Sequence, residues 1–196
     1  MPDTPDCNDS DGNLFLISGA ACSGKSSLFQ QISSSHPKTS SYDFDEIRAP
    51  IDANIQWRQR ATRSWLRRLS SSKGKIALFG QTVLGEVLAC EDAYSFSRIV
   101  YVLLDVDDGE RIKRLRKRDT SGIHQGTLNW ASWLRVHCVD PQWEQNVIIG
   151  NSCGFLNFER WSHLTSWVDV ADVIVVNSTH HTVADTARVL TNIIES

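Results

Sequence analysis

Leu14-Phe15-Leu16-Ile17-Ser18-Gly19-Ala20-Ala21-Cys22-Ser23-Gly24-Lys25-Ser26 decides how this chain is read. A short apolar run leads to Gly19, and the eight residues from that glycine to Ser26 fit G-x-x-x-x-G-K-[ST], the Walker A pattern of a phosphate-binding loop. The glycines let the backbone turn tightly and bring its N–H groups against phosphate oxygens. The predicted cradle comprises Gly19, Ala20, Ala21, Cys22, Ser23 and Gly24, with Lys25, Ser26 and Ser27 opening the helix that follows. Lys25 adds a point charge for the β- and γ-phosphates, and the Ser26 hydroxyl is placed to ligate Mg²⁺. A helix over about 25–33 turns its positive end toward the same anion. The alternative is a chance Gly-rich strand-to-helix turn. The strand before and the helix after favour a nucleoside triphosphate, ATP or GTP, with Mg²⁺.

The rest of the chain bounds that reading. Its 196 residues suit one domain with a substantial core. A net charge of −3 argues against non-specific attachment to nucleic acid or to an anionic membrane. No run approaches the ~20 apolar residues of a membrane span, and the N-terminus lacks a signal-peptide pattern. Five scattered cysteines, an odd number, fit reduced thiols better than a disulfide framework, so a cytoplasmic protein is expected. Residues 1–12 are rich in Asp, Pro, Ser and Asn and are expected to form a mobile tail. Residues 13–196 are expected to form the domain.

Strand-like apolar runs recur at 14–18, about 40–44, 75–80, 98–104 and 173–176, alternating with helical patterns. Runs of this kind suit strands buried on both faces, which predicts an α/β fold: a five-stranded parallel sheet with helices on both sides. Over about 53–70, Trp57, Ala61, Trp65 and Leu69 form one apolar stripe, with Arg58, Arg60, Arg63 and Arg67 on the rest of the helix. Over about 182–195 the stripe is Val183, Ala187, Leu190 and Ile194, and Thr182 with Asp185 resembles a capping box. In such a sheet the nucleotide site lies at the C-terminal end of the first strand.

A phosphate loop alone does not separate a kinase from an ATPase or a GTPase. The next informative segment is Asp43-Phe44-Asp45-Glu46-Ile47-Arg48, at the end of the second strand. Alternate residues of an extended segment point the same way, so Asp43 and Asp45 can converge on phosphates held by Lys25. Phosphoryl transfer to an alcohol uses one carboxylate for the metal's water shell and another for the hydroxyl proton. Arg48 then stands ready to clamp an anionic group on the acceptor. The competing assignment is an acidic cap of the next helix.

On these residues the chain resembles the P-loop small-molecule kinases: nucleoside monophosphate, shikimate, gluconate and adenylylsulfate kinases. Asp43-Phe44-Asp45 is similar to the D-x-D of shikimate and gluconate kinases, and the trailing Ile47-Arg48 resembles the D-G-D-N-V-R segment of adenylylsulfate kinases. Val102-Leu103-Leu104-Asp105 and then Arg114-Leu115-Arg116-Lys117-Arg118 resemble a fourth strand and the R-L-x-x-R at which a helix gives way to a lid. The resemblance implies that Arg118 reaches the ATP phosphates or stacks near the adenine, and that Arg114 supports it. Val173-Ile174-Val175-Val176-Asn177-Ser178-Thr179 resembles the last strand and adenine-side loop. The likeness spans about 13–118 and 172–195, with a helical lid insertion implied over about 119–170. Phe44 departs from the glycine of adenylylsulfate kinases, and their later arginine-rich substrate segment has no counterpart here. Gln81, at the end of the third strand, is either an acceptor-binding side chain or an ordinary strand-end residue.

Six of the eight residues from Arg111 to Arg118 are basic, which suits either a solvated helix face or neutralisation of a transferring phosphoryl group. Trp130, Trp133, Leu134 and His137 fall at helical spacing and predict a packing face. Arg135 between them, by the lid analogy, either reaches the phosphates or stays at the surface. Trp161 and Trp167 either wall an acceptor pocket or fill the core. Histidines and cysteines in this region lack zinc-binding spacing. The reading that results is an ATP-dependent phosphotransferase acting on a hydroxyl or phosphate of a small metabolite. Catalytic candidates are Lys25, Asp45, Arg114, Arg118 and Arg135; Asp43, Asp45, Arg48 and Gln81 are candidates to bind the acceptor; Ser26 and Asp43 are candidates for Mg²⁺. No membrane or nucleic-acid partner is expected, and the protein is expected to be a monomer or homodimer. The rivals are a P-loop ATPase module, for which Asp105 mimics a Walker B carboxylate, and a 5′-hydroxyl nucleic-acid kinase.

Overall fold

The strands Asn13–Ser18 (β1), Thr39–Asp43 (β2), Lys75–Phe79 (β3), Arg98–Asp105 (β4) and Asp172–Asn177 (β5) all pair parallel, in the order β2-β3-β1-β4-β5. This computed structural model describes residues 12–118 and 124–196. All but the last residue of the expected tail therefore lies outside the described residues; Gly12 itself is buried, its carbonyl accepting from Ser97 N–H at 3.1 Å.

β1 is central because it can be: Leu14, Phe15, Leu16 and Ile17 are apolar on both faces, and all are buried. Edge strand β2, Thr-Ser-Ser-Tyr-Asp, has only Thr39 buried and survives its polar sequence by position. Seven α-helices lie among the described residues: Lys25–Ser35 (α1), Ile55–Leu69 (α2), Leu84–Ala89 (α3), Asp108–Lys117 (α4), Gln125–His137 (α5), Asn146–Ile149 (α6) and Val183–Glu195 (α7). None is long and apolar enough to cross a membrane.

Alternation along the strands divides the core in two. Phe15, Ile17, Phe79, Val102 and Leu104 pack with Leu28 and Ile32 of α1 and with Ala187, Leu190 and Ile194 of α7. Leu14, Leu16, Leu78, Tyr101 and Leu103 pack with α2, α3 and α5 on the other face. The α2 stripe is as expected, with Ala61, Trp65 and Leu69 buried, and Asn54 caps the helix by accepting from Trp57 N–H at 3.0 Å. The α7 capping box is formed, but Val183 of the expected stripe is 46% exposed because it sits on the helix's first turn, beyond the sheet.

The insertion between α4 and β5 is sewn to α2 and α3 by buried polar contacts. Glu86, on α3, is fully buried and accepts two bonds from Arg58 (2.9 and 2.7 Å) and one from Gln59 Nε2 (3.1 Å). Gln59 also donates to Ile148 O at 2.9 Å and accepts from Cys153 N–H at 2.8 Å. Trp161 donates to Gly85 O at 2.7 Å and Trp167 to His137 O at 2.6 Å, so these tryptophans are core.

His137 is stacked on Trp133 with ring centroids 4.6 Å apart, and its Nε2 accepts from Gly85 N–H at 3.3 Å. Burial pushes its pKa down to about 4, with Asp140 opposing the shift. The folded state therefore holds His137 neutral while the unfolded chain takes up a proton below about pH 6.5. Stability is complete above that pH and is lost progressively as pH falls toward 4, by about 3 kcal/mol from this group. Urea unfolding at pH 7.5 and pH 4.5 measures the loss, and His137→Gln, which can still accept from Gly85, is expected to flatten that part of the slope.

Candidate active site

β1 lies between β3 and β4, where the strand order reverses, so a crevice opens at its C-terminal end. The Gly19–Ser26 loop fills the floor of that crevice. A Cβ on Gly19 would stand 2.4 Å from Leu104 O and 2.5 Å from Ser23 Oγ, so the loop can pass β4 this closely only with glycine there. Gly24 closes the loop with φ +98°, in the left-handed region that glycine enters without steric cost, and is the N-cap of α1. No side chain caps that helix end, so its first amides are left to face the crevice with the positive end of the dipole.

Above the loop lies a cavity of about 700 Å³, lined by Ala21, Cys22, Gly24, Lys25, Ser26, Ser27, Asp45, Gln81, Arg114, Lys117, Arg118 and Val183. Most of the residues singled out from the sequence therefore meet in one space. Gly19, Ala20 and Ser23 are the buried residues of the loop and do not line the cavity. Asp43, Arg48 and Arg135 do not line the cavity. Asp43 Oδ1 accepts from Asp45 N–H at 3.0 Å, capping the short 3-10 turn Phe44–Glu46, and this cap aims the exposed Asp45 into the crevice. Arg48 is exposed beyond that turn. Arg135 places its Nε 2.8 Å from Asp105 Oδ2 and also pairs with Asp108.

Lys25 Nζ donates to Gly19 O at 2.7 Å and Ala20 O at 3.0 Å. Burial lowers its pKa to about 8; the Asp45 carboxylate opposes that shift and Arg111 adds to it. Arg114 Nε bonds Glu110 at 3.1 Å and its NH2 donates to Ser178 O at 3.2 Å, which ties α4 to the loop after β5. Arg118 NH1 stands 3.7 Å from Cys22 Sγ. The residues that follow, 119–123, where the lid was expected to begin, lie outside the described residues.

No protein-family model and no curated relative matches this sequence. Solved structures do match. A sugar kinase from Janibacter sp. superposes with a TM-score of 0.58 at 13% identity, covering 92% of this chain and 93% of that one. A deoxyadenosine kinase from M. mycoides gives 0.55 at 13% identity, over 93% and 98%. A gluconokinase from Sinorhizobium meliloti gives 0.54 at 14% identity, over 95% of both chains. This chain has the fold of the P-loop small-molecule kinases. At such low identity the likeness concerns the framework, and the chemistry must be argued from the side chains present.

Within the P-loop kinase fold, reading the sequence missed three residues that bear on the site: Lys117, Val183 and Arg111. Lys117 and Val183 line the cavity; Val183 brings an apolar surface from the start of α7. Arg111 is fully buried and its NH1 donates to Ala21 O, in the loop, at 2.7 Å, while Asp105, read from the sequence as a Walker B mimic, is buried beside it. The signal for Arg111 was present: it precedes Leu115 by one turn, and these are the buried positions of α4. An arginine on a buried face needs a counter-ion, and Asp105, six residues earlier, is that partner at 2.8 Å.

Proposed function

We propose that this protein is a phosphotransferase moving the γ-phosphate of Mg-ATP to a hydroxyl or phosphate of a small metabolite. The observation that carries the reading is the cavity lined by Lys25, Ser26, Arg114 and Arg118 together with Asp45 and Gln81. Four of its side chains, Lys25, Arg114, Lys117 and Arg118, are cations, and the open amides at the start of α1 add donors, so a triphosphate fits the lining. Asp45 and Gln81 supply a carboxylate and an amide suited to a hydroxyl.

Ser26 Oγ, with Asp43 or Asp45 beyond the ion's water, would hold Mg²⁺, which supplies neutralising charge for the β- and γ-phosphates. Lys25 binds phosphate oxygens, a role that requires its ammonium to exchange the Gly19 and Ala20 carbonyls for the ligand. Arg114, Lys117 and Arg118 stabilise charge as it spreads over the transferring group. Asp45 orients the acceptor hydroxyl and takes its proton. The adenine lies toward Val183 and the loop after β5, where an apolar side chain meets the same cavity.

The ATPase reading needs Asp105 as a free metal-side carboxylate. Its two oxygens are taken by Arg111 at 2.8 Å and Arg135 at 2.8 Å, which favours transfer over a Walker B role for this residue. Asp45→Asn is expected to slow transfer by more than about tenfold while ATP binding persists, since the amide keeps the shape and loses the base. Steady-state transfer and equilibrium ATP binding on the same preparation check this. A variant that only melts earlier, with transfer intact, would assign Asp45 to the turn that Asp43 caps.

A further inference from the structure

Arg111 is buried without exposed surface, yet it sits on an otherwise solvated helix where an apolar residue beside Leu115 would pack at lower cost. Buried ion pairs are poor stabilisers compared with apolar side chains of similar size, so the charge here calls for another explanation. Its contacts supply one. NH2 donates to Asp105 Oδ1 at 2.8 Å and to Val106 O at 3.1 Å, while NH1 donates to the Ala21 carbonyl, inside the phosphate loop, at 2.7 Å. Only a side chain with several fixed donors can hold a carboxylate and a loop carbonyl together.

The bond to Ala21 has a directional consequence. In a trans peptide the C=O and the following N–H point to opposite sides. Arg111 is fully buried and outside the cavity lining, whereas Cys22 lines the cavity. Drawing the Ala21 carbonyl to Arg111 therefore leaves the Cys22 N–H on the side of that peptide away from Arg111. Cys22 has φ +62°, a left-handed conformation that costs a non-glycine residue about 1 kcal/mol or more and persists only when its surroundings hold it. Asp105 is in turn held from the far side by Arg135 of α5, 2.8 Å from its other oxygen.

We infer that Arg111 is a positioning residue that aims the Cys22 amide at the nucleotide's phosphates, with Asp105 and Arg135 fixing Arg111 in place and so linking the α5 insertion to the loop. The inference rests on the nucleotide reading given above. It assigns Arg135 an indirect role through Asp105, in place of direct phosphate contact.

The test is calorimetric titration of Mg-ATP into the full chain and its variants at 10 °C, with the melting temperature of each recorded. Arg111→Met is expected to weaken Mg-ATP binding at least about tenfold, the loss of one aimed donor to a charged group. Arg111→Lys, which keeps a donor for Ala21 but not the fork, is expected to recover part of that affinity at a melting temperature no higher than the Met variant's. Arg135→Gln leaves the buried guanidinium in place and is expected to weaken binding about threefold through Asp105, a readout that holds if Arg111→Met does not fold. A folded Arg111→Met protein that binds Mg-ATP as the wild type does, or Arg135→Gln at wild-type affinity, overturns the inference and leaves the nucleotide reading standing. Wild-type protein that takes up no Mg-ATP overturns both.

Discussion

Lys25→Ala is expected to reduce phosphoryl transfer from Mg-ATP by at least about a hundredfold, the scale of losing one preorganised charge at a developing oxyanion. The structure gives two reasons for an effect at this upper level. Lys25 is the cation that lines the cavity and also clamps the loop, its Nζ within 2.7 and 3.0 Å of the Gly19 and Ala20 carbonyls. Its removal also frees those carbonyls, so the loop loses an internal clamp along with the charge. The lowered pKa, about 8 through burial, makes the ammonium easier to neutralise than an exposed lysine, and activity is expected to fall off above that pH in the wild type. Initial rates of transfer for both proteins, with circular dichroism to verify folding, decide the matter. Wild-type turnover in a folded Lys25→Ala protein would refute the phosphate-loop assignment.

Trp161→Ala is expected to be the most damaging single substitution away from the site, costing about 3–5 kcal/mol. The ring is 1% exposed and packs against the backbone of Gly85 so tightly that a Cβ there would meet its Cζ2 at 2.5 Å. Its Nε1 is the donor for Gly85 O at 2.7 Å, and truncation leaves both a cavity and a buried carbonyl without that bond. For a chain of this size the melting temperature is expected to fall by roughly 10 °C. Because Gly85 lies in the first turn of α3, four residues after Gln81, ATP binding at low temperature should survive while the acceptor-side wall loosens. Thermal unfolding followed by intrinsic fluorescence reads the first effect; a loss under about 1 kcal/mol would show that the site repacks and that the insertion is not sewn to α3 as described.

These two residues also mark what was legible in the sequence. The loop at Gly19–Ser26 could be read directly because its chemistry is local: glycines for the turn, a lysine and a serine at fixed spacing. The strands could be read because those buried on both faces are continuously apolar, as in Ile99-Val100-Tyr101-Val102-Leu103-Leu104, all of which are buried. Helix α3 went unread: six residues, Leu-Gly-Glu-Val-Leu-Ala, are too short for a period to emerge, and all six are buried. The stitching of Trp161 to Gly85 is a contact across 76 residues that no local pattern encodes.

The carboxylates show the same limit. Spacing placed Asp43 and Asp45 on one face, but β2 ends at Asp43, and a 3-10 turn takes the chain onward. That turn sends Asp45 to the cavity and gives Asp43 to the Asp45 backbone. Arg135 was read from the lid analogy as a phosphate ligand or a surface residue. Its partners, Asp105 and Asp108, are near one another only because β4 hands over to α4 at that point.

The central claim is that the crevice transfers phosphate to a small molecule. ATP consumption by the purified protein with Mg²⁺, alone and then with pooled metabolites, tests it most directly when phosphate release and new phosphorylated species are followed together by mass spectrometry. The account predicts negligible turnover alone and a new phosphometabolite in the pool, absent with Lys25→Ala. Steady phosphate release with no phosphorylated product would contradict it.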